Sequence, residues 1–135
     1  MFIETALIEY LKAQTAITVY VGDRIYFGAA PQSVAKPYIV ITKVSSPGEH
    51  TQDGPLAIGN PHFQIIAYSL TYAQAHQIAA TVKTALDGYQ GNMGITAPLY
   101  VFSCFYDDES DDVYTELTPT LYSVIQDYYI AYQEA

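Results

Sequence analysis

The sequence contains few basic residues, one cysteine and no tryptophan. Among its 135 residues there are five Lys or Arg against fourteen Asp or Glu, and the formal net charge is −9. A protein that grips nucleic acid neutralises phosphates with Lys and Arg, so this balance predicts no stable nucleic-acid binding. An anionic membrane surface is disfavoured for the same reason.

Long apolar runs and paired cysteines are missing as well. No run approaches the ~18 apolar residues of a membrane-spanning helix, so no membrane association is predicted. Cys104 is alone, which excludes an internal disulfide, and its strand-like surroundings predict a buried, unreactive thiol. Half of the residues are hydrophobic and only 14% are charged, which is typical of a folded chain, and the length predicts a single domain over 1–135.

No catalytic motif is present. The sequence has no Gly-rich phosphate loop, HExxH, CxxC or GxSxG, and its three histidines are scattered. A His/Asp pair lies in "EHTQDGP" and could act as acid and base, but Asp53-Gly54 is a turn signal in its own right. We therefore predict no enzyme activity, no cofactor and no metal, and we interpret residues 46–61 as a loop rich in Gly and Pro.

Two segments have helical periodicity. Apolar residues recur at helical spacing in 2–14 and again in 72–87. Thr71 is placed to cap the second helix with Gln74 as its capping-box partner, and Gly88 lies just past its end. His76 lies off the apolar stripe, so we expect it to face solvent.

The remaining hydrophobic segments predict strands. These are "RIYF", "YIVITKVSS", "HFQIIAYS", "APLYVFSCFY" and "LYSVIQDYYIAY", while "TAITVYVGD" suits either a strand or a short helical turn. The order predicts an α+β domain: a mostly antiparallel four- to five-stranded sheet with two amphipathic helices packed on one face. The other face is expected to carry part of the fourteen tyrosines, which suit a pleated surface or an interface.

Negative charge is concentrated near the C-terminus. Residues 1–83 hold all five bases and five acids, whereas 84–135 hold nine acids and no base. Six carboxylates lie in "DDESDDVYTE", which lacks the glycine and the spacing of a calcium loop. We interpret this segment as a solvated acidic hairpin loop that contains Asp107, Asp108, Glu109, Asp111, Asp112 and Glu116.

A series of short signatures resembles the tail terminator, or tail completion, proteins of tailed bacteriophages and prophages. In order these are "LKAQTAITVYVGDRIYFGAAPQ", "KPYIVI", "EHTQDGP", "FQIIAYSLTYAQAHQIAATVKTALDGYQG" and "QDYYIAY". Together they cover about 5–132. The acidic stretch 107–116 departs from the family's pattern.

The resemblance implies a structural virion protein at the head-proximal end of the tail, assembled in the host cytoplasm. Such proteins form a homohexameric ring that caps the tail tube, ends its polymerisation and meets the head-completion or connector proteins. The expected partners are therefore further copies of the chain, the tail tube protein and the connector proteins. The resemblance also implies an assembly role for a loop containing His50, Thr51, Gln52, Asp53, Gly54 and Pro55.

Three alternatives stay open at this point. A neck or head–tail connector protein of similar fold would share these features. An acidic inhibitor that mimics DNA would need its carboxylates spread over one face, whereas six of the fourteen lie in one segment. A metal-dependent enzyme would need clustered histidines.

Overall fold

The fold contains three helices and seven strands among the residues that the computed structural model describes, 3–31, 33–45, 58–96 and 99–133. The helices are α1 (Ile3–Lys12), α2 (Thr15–Val21) and α3 (Tyr72–Leu86). The strands are β1 (Ile25–Phe27), β2 (Tyr38–Ser45), β3 (Ile58–Gly59), β4 (His62–Ser69), β5 (Gly91–Met93), β6 (Leu99–Tyr114) and β7 (Leu121–Gln133).

One sheet contains all the strands, in the order β1-β2-β4-β7-β6-β5. All neighbouring strands are antiparallel except β1 and β2, which run parallel. The short strand β3 pairs with the last residues of β7, on the same side of β7 as β4. The predicted α+β class is confirmed. The predicted sheet of four to five strands is too small, since the path holds six strands and is mixed.

The prediction left one helix undecided and missed two short strands. "TAITVYV" is a helix although its β-branched residues favour a strand, because its Ile17 and Val21 are fully buried in the core in this conformation. β5 was missed because a three-residue segment that starts at a glycine has no strand signal. Ile58 and Gly59 were predicted as loop, yet they pair with Gln133 and Tyr132.

The core lies between the helices and one face of the sheet. Register places Phe63 opposite Tyr128 and Ile65 opposite Gln126, so these side chains share a face. Helical residues such as Leu7, Ile17 and Ile78 belong to the same buried cluster. Burial of each such side chain contributes about 1.5–3 kcal/mol, so packing of all three helices on this face stabilises the domain.

The caps of α3 differ slightly from the predicted box. Thr71 Oγ1 accepts a hydrogen bond from the Gln74 backbone N–H at 3.2 Å, as predicted. The Gln74 side chain does not return to Thr71; its Oε1 accepts from Ser69 Oγ at 2.6 Å, and Thr71 N donates to the same Ser69 hydroxyl at 3.3 Å. Gly88 follows the helix with φ of 79°, a conformation that glycine adopts without strain.

Cys104 is buried on β6, as the sequence predicts, with 2% of its surface exposed. Burial, and to a smaller extent the nearby Asp87 carboxylate, raises the pKa of this thiol to about 12. We expect a thiol reagent at pH 8 to leave the native chain unlabelled and to label Cys104 once denaturant unfolds it. Rapid labelling of the native protein would contradict this placement.

Candidate interaction surface

The acidic segment forms most of the outer half of β6, not a loop. Asp108 pairs with Asp127, Glu109 with Gln126 and Asp111 with Val124, and β6 ends only at Tyr114. Of the six carboxylates predicted in a loop, only Glu116 lies in the turn between β6 and β7. The prediction was wrong because Asp disfavours strands intrinsically, whereas pairing with the apolar β7 fixes the conformation here.

A bulge between Tyr106 and Asp108 decides where the carboxylates point. Because of the one extra residue, Glu109 and Asp111 lie on the face of the sheet that packs against the helices, and Asp108 and Asp112 lie on the opposite, helix-free face. Glu109 Oε1 accepts from Gln126 Nε2 at 3.0 Å, which ties the acidic strand to a buried side chain. The acidic residues are therefore held in a defined register by named partners.

Asp111 joins β6 to α3. Its Oδ1 lies 3.0 Å from His76 Nε2, and its Oδ2 accepts from the Tyr72 hydroxyl at 2.8 Å. The expectation that His76 faces solvent is wrong, since its side chain is 31% exposed and contacts both Asp111 and the Tyr72 ring. The hydrogen bond to Asp111 raises the pKa of Tyr72 above its ordinary value, because phenolate formation would break it.

We expect the Asp111→Asn substitution to lower the pKa of Tyr72 toward that of a free tyrosine. The amide accepts the hydrogen bond more weakly and carries no charge against the phenolate. Ultraviolet difference titration of the variant against Asp111→Asn/Tyr72→Phe isolates this one phenol. An unchanged Tyr72 titration would mean that the contact is absent in solution.

The helix-free side of the hairpin carries its own pairs. Asp108 and Asp127 are cross-strand neighbours of like charge, which is unfavourable by itself. His62 Nε2 lies 2.9 Å from Asp127 Oδ1 and its ring stacks on Tyr129, which offsets part of that cost. Asp112 Oδ1 accepts from the Val113 N–H at 2.9 Å.

Tyrosines line a pocket at one end of the helix-free face, as expected from their number. Tyr38 and Tyr68 stack with ring centroids 4.8 Å apart. The pocket has a volume of 390 Å³ and is lined by small residues of 28–31 and by Tyr38, Val40, Tyr68, Tyr114, Leu117 and Leu121. Burial, followed by the neighbouring Tyr114, raises the pKa of Tyr68 to about 12.

Three aromatic side chains stand out from β6 at the other end of this face. Phe105 is 62% exposed, and Tyr100 and Phe102 contact each other edge to face. Val101 and Cys104 are both buried although they are three positions apart, because a register shift between Val101 and Ser103 interrupts the alternation, and the three aromatics are left outside. The exposure of these aromatics could not be predicted from alternation, because the register shift interrupts it.

The exposed aromatics and carboxylates of β6 form a candidate interaction surface. Among the described residues, no group of three or more His, Cys, Asp or Glu side chains could hold a metal ion. None of the helices in the described ranges is long and apolar enough to cross a membrane. The predicted assembly loop, with His50, Thr51, Gln52, Asp53, Gly54 and Pro55, lies outside the described residues.

Comparison with known proteins gives two findings. The family model "Tail completion protein gp17" matches residues 5–132. A chain of the "Virion of native gene transfer agent (GTA) particle" has a similar fold, with a TM-score of 0.73 at 16% sequence identity, over 96% of this chain and 94% of that one. A search of curated proteins finds no match.

Proposed function

We propose, from the premise that the chain belongs to the tail completion protein gp17 family, that it caps the tail tube and ends its polymerisation. It then helps to join the tail to the head. The family places the chain among tail-associated structural proteins of the phage virion, and the match over 5–132 is the observation that carries the proposal. In this role the protein is not an enzyme; its partners are the tail tube protein and the head-completion or connector proteins.

The capping form is proposed to be a homohexameric ring assembled in the host cytoplasm. Heterologous contacts between identical subunits close into a ring when the rotation between them closes. The exposed aromatic side chains of β6 supply apolar surface of the kind enriched at interfaces. Among the described residues, these side chains remain exposed in a single copy.

The carboxylates of β6 are proposed to lie at the lumen or at a solvent-facing rim of the ring, not between its subunits. Each copy has a net charge of −9, and like charges oppose association. A lumen lined by carboxylates repels DNA and lets the strand pass without sticking. The residues concerned are Asp107, Asp108, Glu109, Asp111 and Asp112 on β6 and Glu116 in the turn that follows it.

The segment that contains "EHTQDGP", predicted as a loop from the sequence, is proposed to contact a neighbouring subunit or the tube. The resemblance of "EHTQDGP" to the family's loop supports this role. Alanine replacements should leave the fold intact and impair tail joining; the residues are His50, Thr51, Gln52, Asp53, Gly54 and Pro55. A measurable turnover that disappeared with His50→Ala or Asp53→Ala would instead show an enzyme.

Light scattering across a wide concentration range tests the ring. We expect a species of about six times the 14.9 kDa chain mass, at high concentration or in the presence of tail tubes. A strict monomer under both conditions would contradict the proposed ring.

A further inference from the structure

The outer edge of β6 is largely unpaired among the described residues. On one side β6 pairs with β7 from Val101 to Tyr114, but on the other side β5 covers only Leu99–Val101. Beyond β5, the Gly88 N–H donates to Cys104 O at 2.8 Å and Tyr106 N–H donates to Asp87 Oδ1 at 3.1 Å. No strand of the described chain continues past Tyr106 on this side.

Alternation of the strand identifies the open backbone groups. Cys104 and Tyr106 direct their backbone groups outward, and the bulge after Tyr106 transfers that direction to Glu109, Asp111 and Val113. The Val113 N–H is already taken by Asp112 Oδ1, in agreement with this direction. Within the described part of the chain, the N–H groups of Glu109 and Asp111 have no hydrogen-bond partner, and β7 and α3 hold the strand that carries them in place.

From these observations we propose that the edge of β6 at residues 107–113 receives an extended, basic segment of a different protein as an added strand. Strand addition supplies main-chain hydrogen bonds, and side chains at alternate positions supply specificity. An incoming strand would lie beside Glu109 and Asp111 on one face and beside Asp108 and Asp112 on the other. Lys or Arg on that strand would meet carboxylates on either face.

A second copy of this chain does not fit the edge. The β6 strand of another copy would set carboxylates directly against carboxylates, which is destabilising. None of the five bases lies on a strand that could be added to this edge. Lys43 is inside β2 and pairs with Glu4 at 2.8 Å. Lys83 is in α3, and its ammonium group lies over the ring of Tyr106. The others are in a helix or in the segments that flank β1 and β2, and the full set is Lys12, Arg24, Lys36, Lys43 and Lys83.

The partner is therefore another protein. That it is another virion protein rests on the proposed function, but the open edge itself is observed independently of that function. The rim placement of the carboxylates agrees with this inference, since a rim meets partners other than ring neighbours. A peptide experiment tests the edge without tails or heads. Failure of the capping proposal would appear in tail assays and leave the peptide result unaffected.

The probe is a short synthetic peptide in which Lys alternates with Val, and its control is the same peptide with Glu in place of Lys. By fluorescence anisotropy at low salt we expect the Lys peptide to bind at least about tenfold more tightly than the Glu peptide, with affinity falling as salt rises. Residue-resolved amide exchange should slow at Glu109 and Asp111 when the Lys peptide is added. Ser110, whose backbone groups point to β7, should be protected with or without peptide.

Asp111→Pro removes an outward N–H and blocks the edge, while Asp111→Asn removes the same charge and keeps the N–H. We expect the Pro variant to lose peptide binding, and the Asn variant to bind a few-fold more weakly than the unmodified chain, because only one of the facing charges is gone. Amide exchange on the unmodified chain gives the answer if the Pro variant does not fold. Equal binding of both peptides, no binding of either, or protection confined to residues away from the β6 edge would overturn the proposal.

Discussion

Replacing Gln126 with Ala is expected to lower the free energy of unfolding by about 2–4 kcal/mol, and Tm by roughly 10 °C. Gln126 is 1% exposed and is the centre of a buried polar network. Its Nε2 donates to Ala79 O and to Glu109 Oε1, both at 3.0 Å, and its Oε1 accepts from the Tyr128 hydroxyl at 3.0 Å. Truncation leaves the Tyr128 hydroxyl and the Ala79 carbonyl without this partner in a region of low dielectric.

Two variants serve as references for this experiment. Gln64→Ala removes the same side chain from the neighbouring strand on the helix-free face, where it is partly exposed, and should change stability by less than about 0.5 kcal/mol. Tyr128→Phe removes one hydroxyl from the network and should cost about 1 kcal/mol. Urea unfolding of all three measures the order. If Gln126→Ala were as harmless as Gln64→Ala, the network would not hold the acidic strand to the core.

Ring assembly is expected to strengthen with added salt and more strongly with millimolar Mg²⁺. Six copies of net charge −9 repel one another, and salt screens that repulsion over about 8–10 Å at moderate ionic strength. No side-chain hydrogen bond or ion pair of Asp107 or Asp108 is seen among the described residues. Changing both to Asn should therefore lower the protein concentration at which rings form at low salt by about an order of magnitude. Sedimentation velocity over a salt series measures both effects.

The structure separates two kinds of carboxylate in this experiment. Asp111→Asn and Asp112→Asn also remove charge, but they weaken the contacts to Tyr72, His76 and the Val113 N–H, so a loss of stability should accompany the gain in assembly. Asp23→Asn removes one exposed charge far from the acidic segment in sequence and controls for the net charge of the single substitutions. Rings that dissolve in salt, or that Asp107→Asn/Asp108→Asn destroys, would place the acidic strand in attractive subunit contacts.

Local pattern predicted the parts of the fold in which pattern and packing agree. "HFQIIAYS" is rich in strand-forming residues and forms β4 with every second side chain buried, and the stripe from Ala75 to Leu86 forms the buried face of α3. Thr71 caps that helix because its hydroxyl has no competing role. These segments carry their own conformational preference, so a single sequence suffices.

The acidic half of β6 could not be predicted in this way. Its strand conformation comes from residues far along the chain, above all from β7, and the contact of Glu109 with Gln126 spans 17 positions. The faces of its carboxylates depend on one bulge, which no local signal marks. The resemblance pointed to a tail completion protein, but it did not show that the acidic segment is an ordered strand with an open edge.

In the proposed function, the protein ends tail growth by capping one end of the tube. The most direct measurement is electron microscopy of tails assembled with and without the protein, with the chain labelled to show its position. We expect tubes of uniform length with label at one end only in its presence, and tubes of uncontrolled length that do not join heads in its absence. Tubes of normal length without the protein, or label distributed along the tube or confined to the head, would contradict the claim.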